Sequence, residues 1–155
     1  MLFLSRSLYL RTDSRPESLS VARKRVREAV LRAGASVGIA SEIELAADEA
    51  LSNTYTHAYD GTAGPVQIQV DQTSTHVIVS VIDEGQATIA PVIPDTPPAT
   101  TRIGGRGLYL MRRLLDDVTI TINPAGHGLV VQMTRRVRRQ GDELAVSERG
   151  DNSGR

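Results

Sequence analysis

The chain has 155 residues, of which 18 are basic, 18 are acidic and none is cysteine. That length predicts a single domain that buries its own hydrophobic core. The lack of cysteine excludes disulfides, thiolate metal sites and thiol catalysis, and the balanced charge gives no general electrostatic reason to expect nucleic acid or an anionic membrane as a partner.

The first predicted element is a strand from Leu2 to Arg11, where apolar and polar residues loosely alternate. The first ten residues, MLFLSRSLYL, are interrupted by Ser5 and Arg6 and have no basic lead. They make a poor signal peptide and are far too short to span a bilayer. We therefore expect a soluble, cytoplasmic protein.

A helix is predicted after this strand. Ser14 and Glu17 have the spacing of a capping box, and Pro16 lies in the first turn, where its missing N–H does no harm. The apolar residues that follow at helical spacing are Leu19, Ala22, Val26, Ala29, Val30 and Ala33. The pattern stops at Gly34, a residue type that is common at the C-terminus of a helix.

A second helix is predicted from Ala40 to Asp60, because Ser41 and Glu44 form another capping box and Gly61 follows. Its apolar arc consists of Ile43, Ala46, Ala47, Ala50, Thr54 and Ala58.

Three polar residues of this helix, Glu49, Asn53 and His57, recur every four positions and share one strip at the border of the apolar arc. A carboxylate can accept a proton, and a carboxamide oxygen can bind a hard cation. The sequence therefore predicts that this strip lines a cleft.

Two strands are predicted next. Residues alternate from Val66 to Val70, as in a half-buried strand, whereas Val77 to Ile82 is apolar on both faces and ends at Asp83. The stretch from Gln86 to Gly104 has four prolines and no periodicity, which indicates a long irregular loop. Loops of this length are usually functional lids or disordered segments.

A third helix is predicted to open at Gly104 to Gly107, a glycine-rich start that exposes N–H groups to an anion such as phosphate. Strands at Val118 to Ile122 and Leu129 to Thr134 follow. The order of elements indicates an α+β fold with helices on one face of a mostly antiparallel sheet. We assign 1–136 to this domain and predict a disordered tail at 137–155.

Three stretches in order resemble the motifs of one family. ADEALSNTYTHAYD resembles its N box, VIDEG its first glycine box, and GRGLYLMRRLLDDV its second. The family is the anti-sigma-factor serine/threonine kinases, within the ATPase superfamily shared by DNA gyrase B and sensor histidine kinases. The resemblance runs from about Arg11 to Arg136.

The resemblance implies an ATP- and Mg²⁺-dependent kinase with an α/β sandwich fold. Its expected substrate is a serine of an anti-anti-sigma (STAS) protein, and in an alternative complex it is expected to bind an RNA polymerase sigma factor. A homodimer is implied as well. We expect no direct contact with nucleic acid or a membrane.

By motif, Glu49 is expected to be the catalytic carboxylate, Asn53 the Mg²⁺ ligand and Asp83 the adenine contact. The expected nucleotide-binding residues are Asn53, His57, Asp83, Gly85, Gly105, Arg106, Gly107 and Leu108. Arg106 adds a permanent positive charge with a planar fork of donors.

Two positions depart from the family's pattern. Ala87 stands where the family usually has the second glycine of DxGxG, and Leu129 stands where it usually has a threonine near the adenine. These departures favour, as an alternative, a non-catalytic nucleotide-gated module that binds a sigma factor or another partner. A third interpretation is an α/β interaction domain that binds no nucleotide.

Overall fold

The structure is a computed structural model that describes residues 3–99 and 106–137. Its strands are β1 (Ser5–Asp13), β2 (Pro65–Gln72), β3 (His76–Asp83), β4 (Asp117–Ile122) and β5 (Leu129–Arg136), and its helices are α1 (Pro16–Arg32), α2 (Val37–Asn53) and α3 (Arg106–Leu114). Among the described residues, each helix is too short or too polar to cross a membrane.

The five strands form one sheet in the order β1-β2-β3-β5-β4, and each neighbouring pair is antiparallel. Helix α1 packs on β1 and β2, α2 packs on β3 and β5, and α3 packs on β4. The predicted α+β fold is therefore confirmed. The predicted irregular loop is also confirmed for residues 86–99, which contain neither helix nor strand.

The core lies between the helices and one face of the sheet. Ile68, Val81 and Val131 face one another across three strands and are buried, as the alternation along β2 and β5 predicts. On the opposite face Tyr9 and Gln132 are exposed. The helices contribute the buried residues Leu19, Ala22, Val26, Ala29, Val30, Ala40, Ile43, Ala46, Ala47, Ala50, Leu51 and Met111.

The start of α2 differs from the prediction. Ser36 is the N-cap, and its Oγ accepts the N–H of Ile39 at 3.2 Å. Ser41 lies inside the helix and donates to the carbonyl of Val37, while Glu44 pairs with Arg27 of α1 at 2.7 Å. The predicted capping box was wrong, because a serine one turn earlier caps the helix.

The end of α2 also differs. The α-helix ends at Asn53 and continues as one π-helical turn, Thr54–Ala58. Asp60 then has a φ of 48°, a left-handed conformation typical of a turn. The wider π turn changes the direction of the side chains after Asn53, which a straight helix through Asp60 would not do.

Ser14 does not cap α1. Arg15 occupies the N-cap position without a side-chain hydrogen bond. The Ser14 hydroxyl instead donates to the carbonyl of Thr62 at 2.9 Å and accepts the N–H of Gly64 at 3.0 Å. A residue predicted to act locally thus links the start of α1 to the segment before β2.

Val137, the first residue of the predicted tail, is buried and donates its N–H to the carbonyl of Thr75. The remainder of the predicted tail, 138–155, lies outside the described residues, as do Gly104 and Gly105.

The side chain of Arg135 on β5 connects α2 to Asp116, the residue just before β4. Its guanidinium donates to Glu42 of α2 at 2.8 Å and lies 3.4 Å from the carboxylate of Asp116. Asp116 also accepts the backbone N–H of Arg136. That N–H, helped by the charge of Arg135, holds the pKa of Asp116 below its ordinary value.

We expect Asp116→Asn to make the unfolding free energy depend less on pH in the acid range. A carboxyl with a lowered folded-state pKa stabilises the fold above its unfolded-state pKa, and this stabilisation is lost as the pH falls through the folded-state value. Urea unfolding from about pH 5 to pH 2 should show a smaller loss of unfolding free energy for the variant than for wild type. Asp117→Asn, at an exposed neighbour, is the control, and equal losses in both variants would contradict the assignment.

The turn between β4 and β5 contains two glycines with positive φ, Gly126 at 99° and Gly128 at 87°. A Cβ on Gly128 would collide with the backbone carbonyl of Asp83, whereas a Cβ on Gly126 would meet nothing within 4 Å. This difference provides a matched pair of variants.

Alanine at either glycine is expected to lower the unfolding free energy by about 1 kcal/mol through left-handed strain. Gly128→Ala should lose more than Gly126→Ala, because it must also displace the end of β3. Urea denaturation of both variants measures the difference, and equal losses would show that the contact with Asp83 is unimportant.

Candidate functional site

A cavity of about 570 Å³ lies between the end of α2, the sheet and the start of α3, within the range typical of small-molecule sites. It is lined by Ala50, Asn53, Thr54, His57, Ala58, Val81, Asp83, Gln86, Ala87, Pro91, Gly107, Leu108, Ile120, Leu129 and Val131. Most of these side chains are apolar, so the few polar groups decide what the cavity can bind.

The predicted strip on α2 faces this cavity in part. Asn53, at the end of α2, and His57, in the π-helical turn, both line it. Glu49 is half-buried one turn earlier, and its carboxylate packs against Gly107 at the start of α3. A Cβ on Gly107 would collide with Glu49 Oε2, so glycine allows this close approach.

The other predicted residues fall on the opposite wall and at the start of α3. Asp83, Gly107 and Leu108 line the cavity, and Gly85 lies next to Asp83 in the turn after β3. Arg106 is exposed at the first position of α3. The predicted contact Gly105 lies outside the described residues. The structure brings Asp83, Gly107 and Leu108 together around one cavity, and the roles of all the predicted residues stay predictions.

Asp83 is the buried charged group of the cavity, with 6% of its surface exposed. Its Oδ1 accepts the N–H of Gly85 at 2.9 Å and that of Leu129 at 3.2 Å. Such hydrogen bonds offset the cost of burying a carboxylate. Within the described ranges both bonds to this carboxylate go to Oδ1, so Oδ2 can accept a donor from a ligand.

Close backbone contacts fix the turn after β3. A Cβ on Gly85 would lie 2.8 Å from the carbonyl oxygen of Ala58. Gly85 is therefore needed for the π-helical turn to reach the end of β3. At the end of β3, the backbone carbonyl of Asp83 accepts the side-chain N–H of Asn123, which follows β4, at 2.9 Å.

Sequence reasoning gave no functional role to Asn123, Gly128 or Tyr59. The Tyr59 hydroxyl donates to the carbonyl of Pro65 at 2.6 Å and accepts the N–H of Glu84 at 2.8 Å. Burial raises the pKa of Tyr59, so its hydroxyl stays protonated at neutral pH. The only signal in the sequence was the position of Tyr59 in the THAYDG stretch.

The two departures noted in the sequence both line the cavity. Ala87 accepts the N–H of Gly128 through its carbonyl at 2.9 Å. The backbone N–H of Leu129 donates to the carboxylate of Asp83, and the apolar side chain of Leu129 forms part of the cavity wall. Both residues therefore support the cavity through backbone groups, which their side chains do not alter.

The oxygen donors of the α2 strip suit a hard cation such as Mg²⁺, which is usually held by one or two protein oxygens together with phosphate and water. The carboxamide of Asn53 lines the cavity, and the carboxylate of Glu49 lies one turn away. In the described part of the chain, no three His, Asp or Glu side chains converge on one point to hold a metal without further ligands.

Comparison with known proteins agrees with this architecture. Residues 12–135 match the histidine kinase-like ATPase domain. The chain is 27% identical over 137 residues to the serine-protein kinase RsbW of Oceanobacillus iheyensis, covering 83% of this chain and 85% of that protein. It is also 27% identical over 130 residues to the anti-sigma F factor of Caldanaerobacter subterraneus subsp. tengcongensis, covering 81% and 90%.

Solved structures share the fold. The RsbU and RsbW domains of a Mycobacterium tuberculosis protein superpose with a TM-score of 0.60 at 19% identity, over 85% of this chain and 32% of that chain. The histidine kinase domain of a blue-light activated histidine kinase from Erythrobacter litoralis superposes with a TM-score of 0.51 at 23% identity, over 82% and 64%. This chain belongs to the family of histidine kinase-like ATPase domains.

Proposed function

We propose that this chain is an ATP-dependent serine/threonine protein kinase of the anti-sigma-factor type. The observation that carries the proposal is one cavity that has the Asp83 carboxylate on one wall and Asn53 of α2 on the other, with the Glu49 carboxylate of α2 packed against Gly107 at the start of α3. The relatives named serine-protein kinase RsbW and anti-sigma F factor support the class of reaction.

The base of the nucleotide is assigned to the Asp83 end of the cavity. Asp83 Oδ2 can accept a hydrogen bond from the exocyclic amine of adenine, whereas the carbonyl at the same position of guanine would face a carboxylate and be repelled. The apolar side chains of Val81, Ile120 and Leu129 line the same cavity and suit the faces and edge of a purine.

The phosphates are assigned to the start of α3. Backbone N–H groups at a helix N-terminus favour an anion, and Arg106 adds a fixed positive charge there. Asn53 is the proposed Mg²⁺ ligand, and Mg²⁺ neutralises charge on the phosphates as it does in other phosphoryl-transfer enzymes.

Glu49 is the proposed general base. It accepts the proton of the substrate serine hydroxyl while the serine oxygen bonds to the γ-phosphorus, and the bond from that phosphorus to the bridging oxygen breaks to release ADP. Contact with Gly107 holds the Glu49 carboxylate beside the predicted phosphate site. Positioning and charge neutralisation supply most of the catalysis in such transfers.

The proposed substrate is a STAS anti-anti-sigma protein, and the proposed partner in the alternative complex is an RNA polymerase sigma factor. The STAS substrate is taken from the family resemblance, and the sigma-factor partner is supported as well by the relative named anti-sigma F factor. We further propose a homodimer that works in the cytoplasm.

Glu49→Gln should lower the rate of phosphoryl transfer by at least about 100-fold, because it removes the proton acceptor. It should leave the affinity for Mg-ATP nearly unchanged. The assay is transfer of labelled phosphate from ATP to STAS proteins encoded in the same genome. Asp48→Asn is the control, since Asp48 lies on the other side of α2 and pairs with Arg23 of α1.

If the wild-type protein binds Mg-ATP but phosphorylates none of these STAS proteins, that result would instead support the non-catalytic nucleotide-gated module. The observation that favours this second candidate is that Ala87 and Leu129, the two departures from the family's pattern, both line the cavity.

Asn53→Ala should remove the magnesium-dependent part of nucleotide binding. Calorimetric titration of ATP with Mg²⁺ and with EDTA should give clearly different affinities for wild type and similar ones for the variant. Ser52→Ala, at an exposed neighbour, should behave as wild type. A variant that keeps the full magnesium effect would contradict the metal-binding role.

A further inference from the structure

Tyr59 connects the two halves of the cavity. Its backbone N–H donates to the carbonyl of Thr54 at 3.1 Å, which ties it to the π-helical turn that follows Asn53. Its hydroxyl reaches the other half, where it accepts the N–H of Glu84 at 2.8 Å just after β3. One side chain therefore spans from the turn at the end of α2 to the turn after β3.

The bond to Glu84 acts on Asp83 because the two residues share one peptide group. The carbonyl of Asp83 accepts the side-chain N–H of Asn123, and the N–H of Glu84 donates to Tyr59. A peptide group is planar, so bonds at both of its ends fix its orientation. That orientation sets the backbone from which the Asp83 carboxylate extends into the cavity.

Tyr59 has little freedom to move away. The hydroxyl also donates to the carbonyl of Pro65 at 2.6 Å, at the start of β2. The ring lies directly over Gly64, where a Cβ would collide with ring atoms. Gly64 in turn donates its N–H to the buried hydroxyl of Ser14. The ring is therefore held between the sheet and the segment before β2.

We propose that Tyr59 is a positioning residue for base recognition: its hydroxyl holds the Asp83–Glu84 peptide so that the Asp83 carboxylate meets the exocyclic amine of the base. This inference rests on the proposed nucleotide-binding function. It assigns Tyr59 to the base half of the site and gives it no part in metal binding or proton transfer.

The contribution of the amine is measured as the ratio of the dissociation constants for purine riboside triphosphate, which lacks the amine, and ATP. Tyr59→Phe should lower this ratio about tenfold, because it leaves the Glu84 N–H without its acceptor. The ratio of affinities with and without Mg²⁺ should stay as in wild type. If the role of Tyr59 is purely structural, Tyr59→Phe should lower the thermal stability, or lower the base ratio and the Mg²⁺ ratio together.

Two further variants keep the test decisive. Tyr55→Phe changes a half-buried tyrosine of the same turn that packs on the core, and it should behave as wild type. Gly64→Ala keeps the Tyr59 hydroxyl but displaces its ring, so it should reproduce the loss of base selectivity. Gly64→Ala also provides the test of base selectivity if Tyr59→Phe fails to fold.

If both Tyr59→Phe and Gly64→Ala keep the base selectivity of wild type, the inference about Tyr59 is overturned. The proposed function would still stand. Wild type that binds neither triphosphate would instead overturn the proposed function, and the role of Tyr59 with it.

Discussion

The candidate site depends on the contact between the end of α2 and the end of β3. At Gly85 the backbones approach so closely that a Cβ would lie 2.8 Å from the carbonyl of Ala58. This contact sets the distance between the polar strip of α2 and the buried carboxylate of Asp83. A buried carboxylate is tolerated there because backbone N–H groups of Gly85 and Leu129 donate to it.

The two walls of the cavity differ in how firmly they are held. Asp83 ends a central strand that pairs on both sides, and α2 buries six residues along its length. Helix α3 has nine residues and buries only Met111 among them. Segments with few buried contacts open at the lowest free energy, so α3 is the wall best suited to move when a ligand enters. Movement of α3 changes the contact between Gly107 and the Glu49 carboxylate of α2.

Sequence patterns predicted the features that depend on near neighbours in the chain. Alternation located β2, β4 and β5 within a few residues, and an apolar run located β3. Four-residue spacing placed Asn53 and His57 on the same cavity. The capping boxes failed because Ser-x-x-Glu describes only local bonding. Ser14 instead bonds to residues 48 and 50 positions away, and no short pattern records such a contact. The π-helical turn and the contacts of Tyr59 were missed for the same reason.

The alanine at position 50 has a consequence for how such a domain can evolve. Ala50 is almost fully buried and lines the cavity, so its methyl group marks the boundary between packed core and open space. A larger side chain such as leucine would have to occupy part of the cavity, because the rest of Ala50 is surrounded by closely packed core. After gene duplication, one copy could therefore lose its ligand in a single step while remaining folded, and its outer surfaces would be free to drift toward another role.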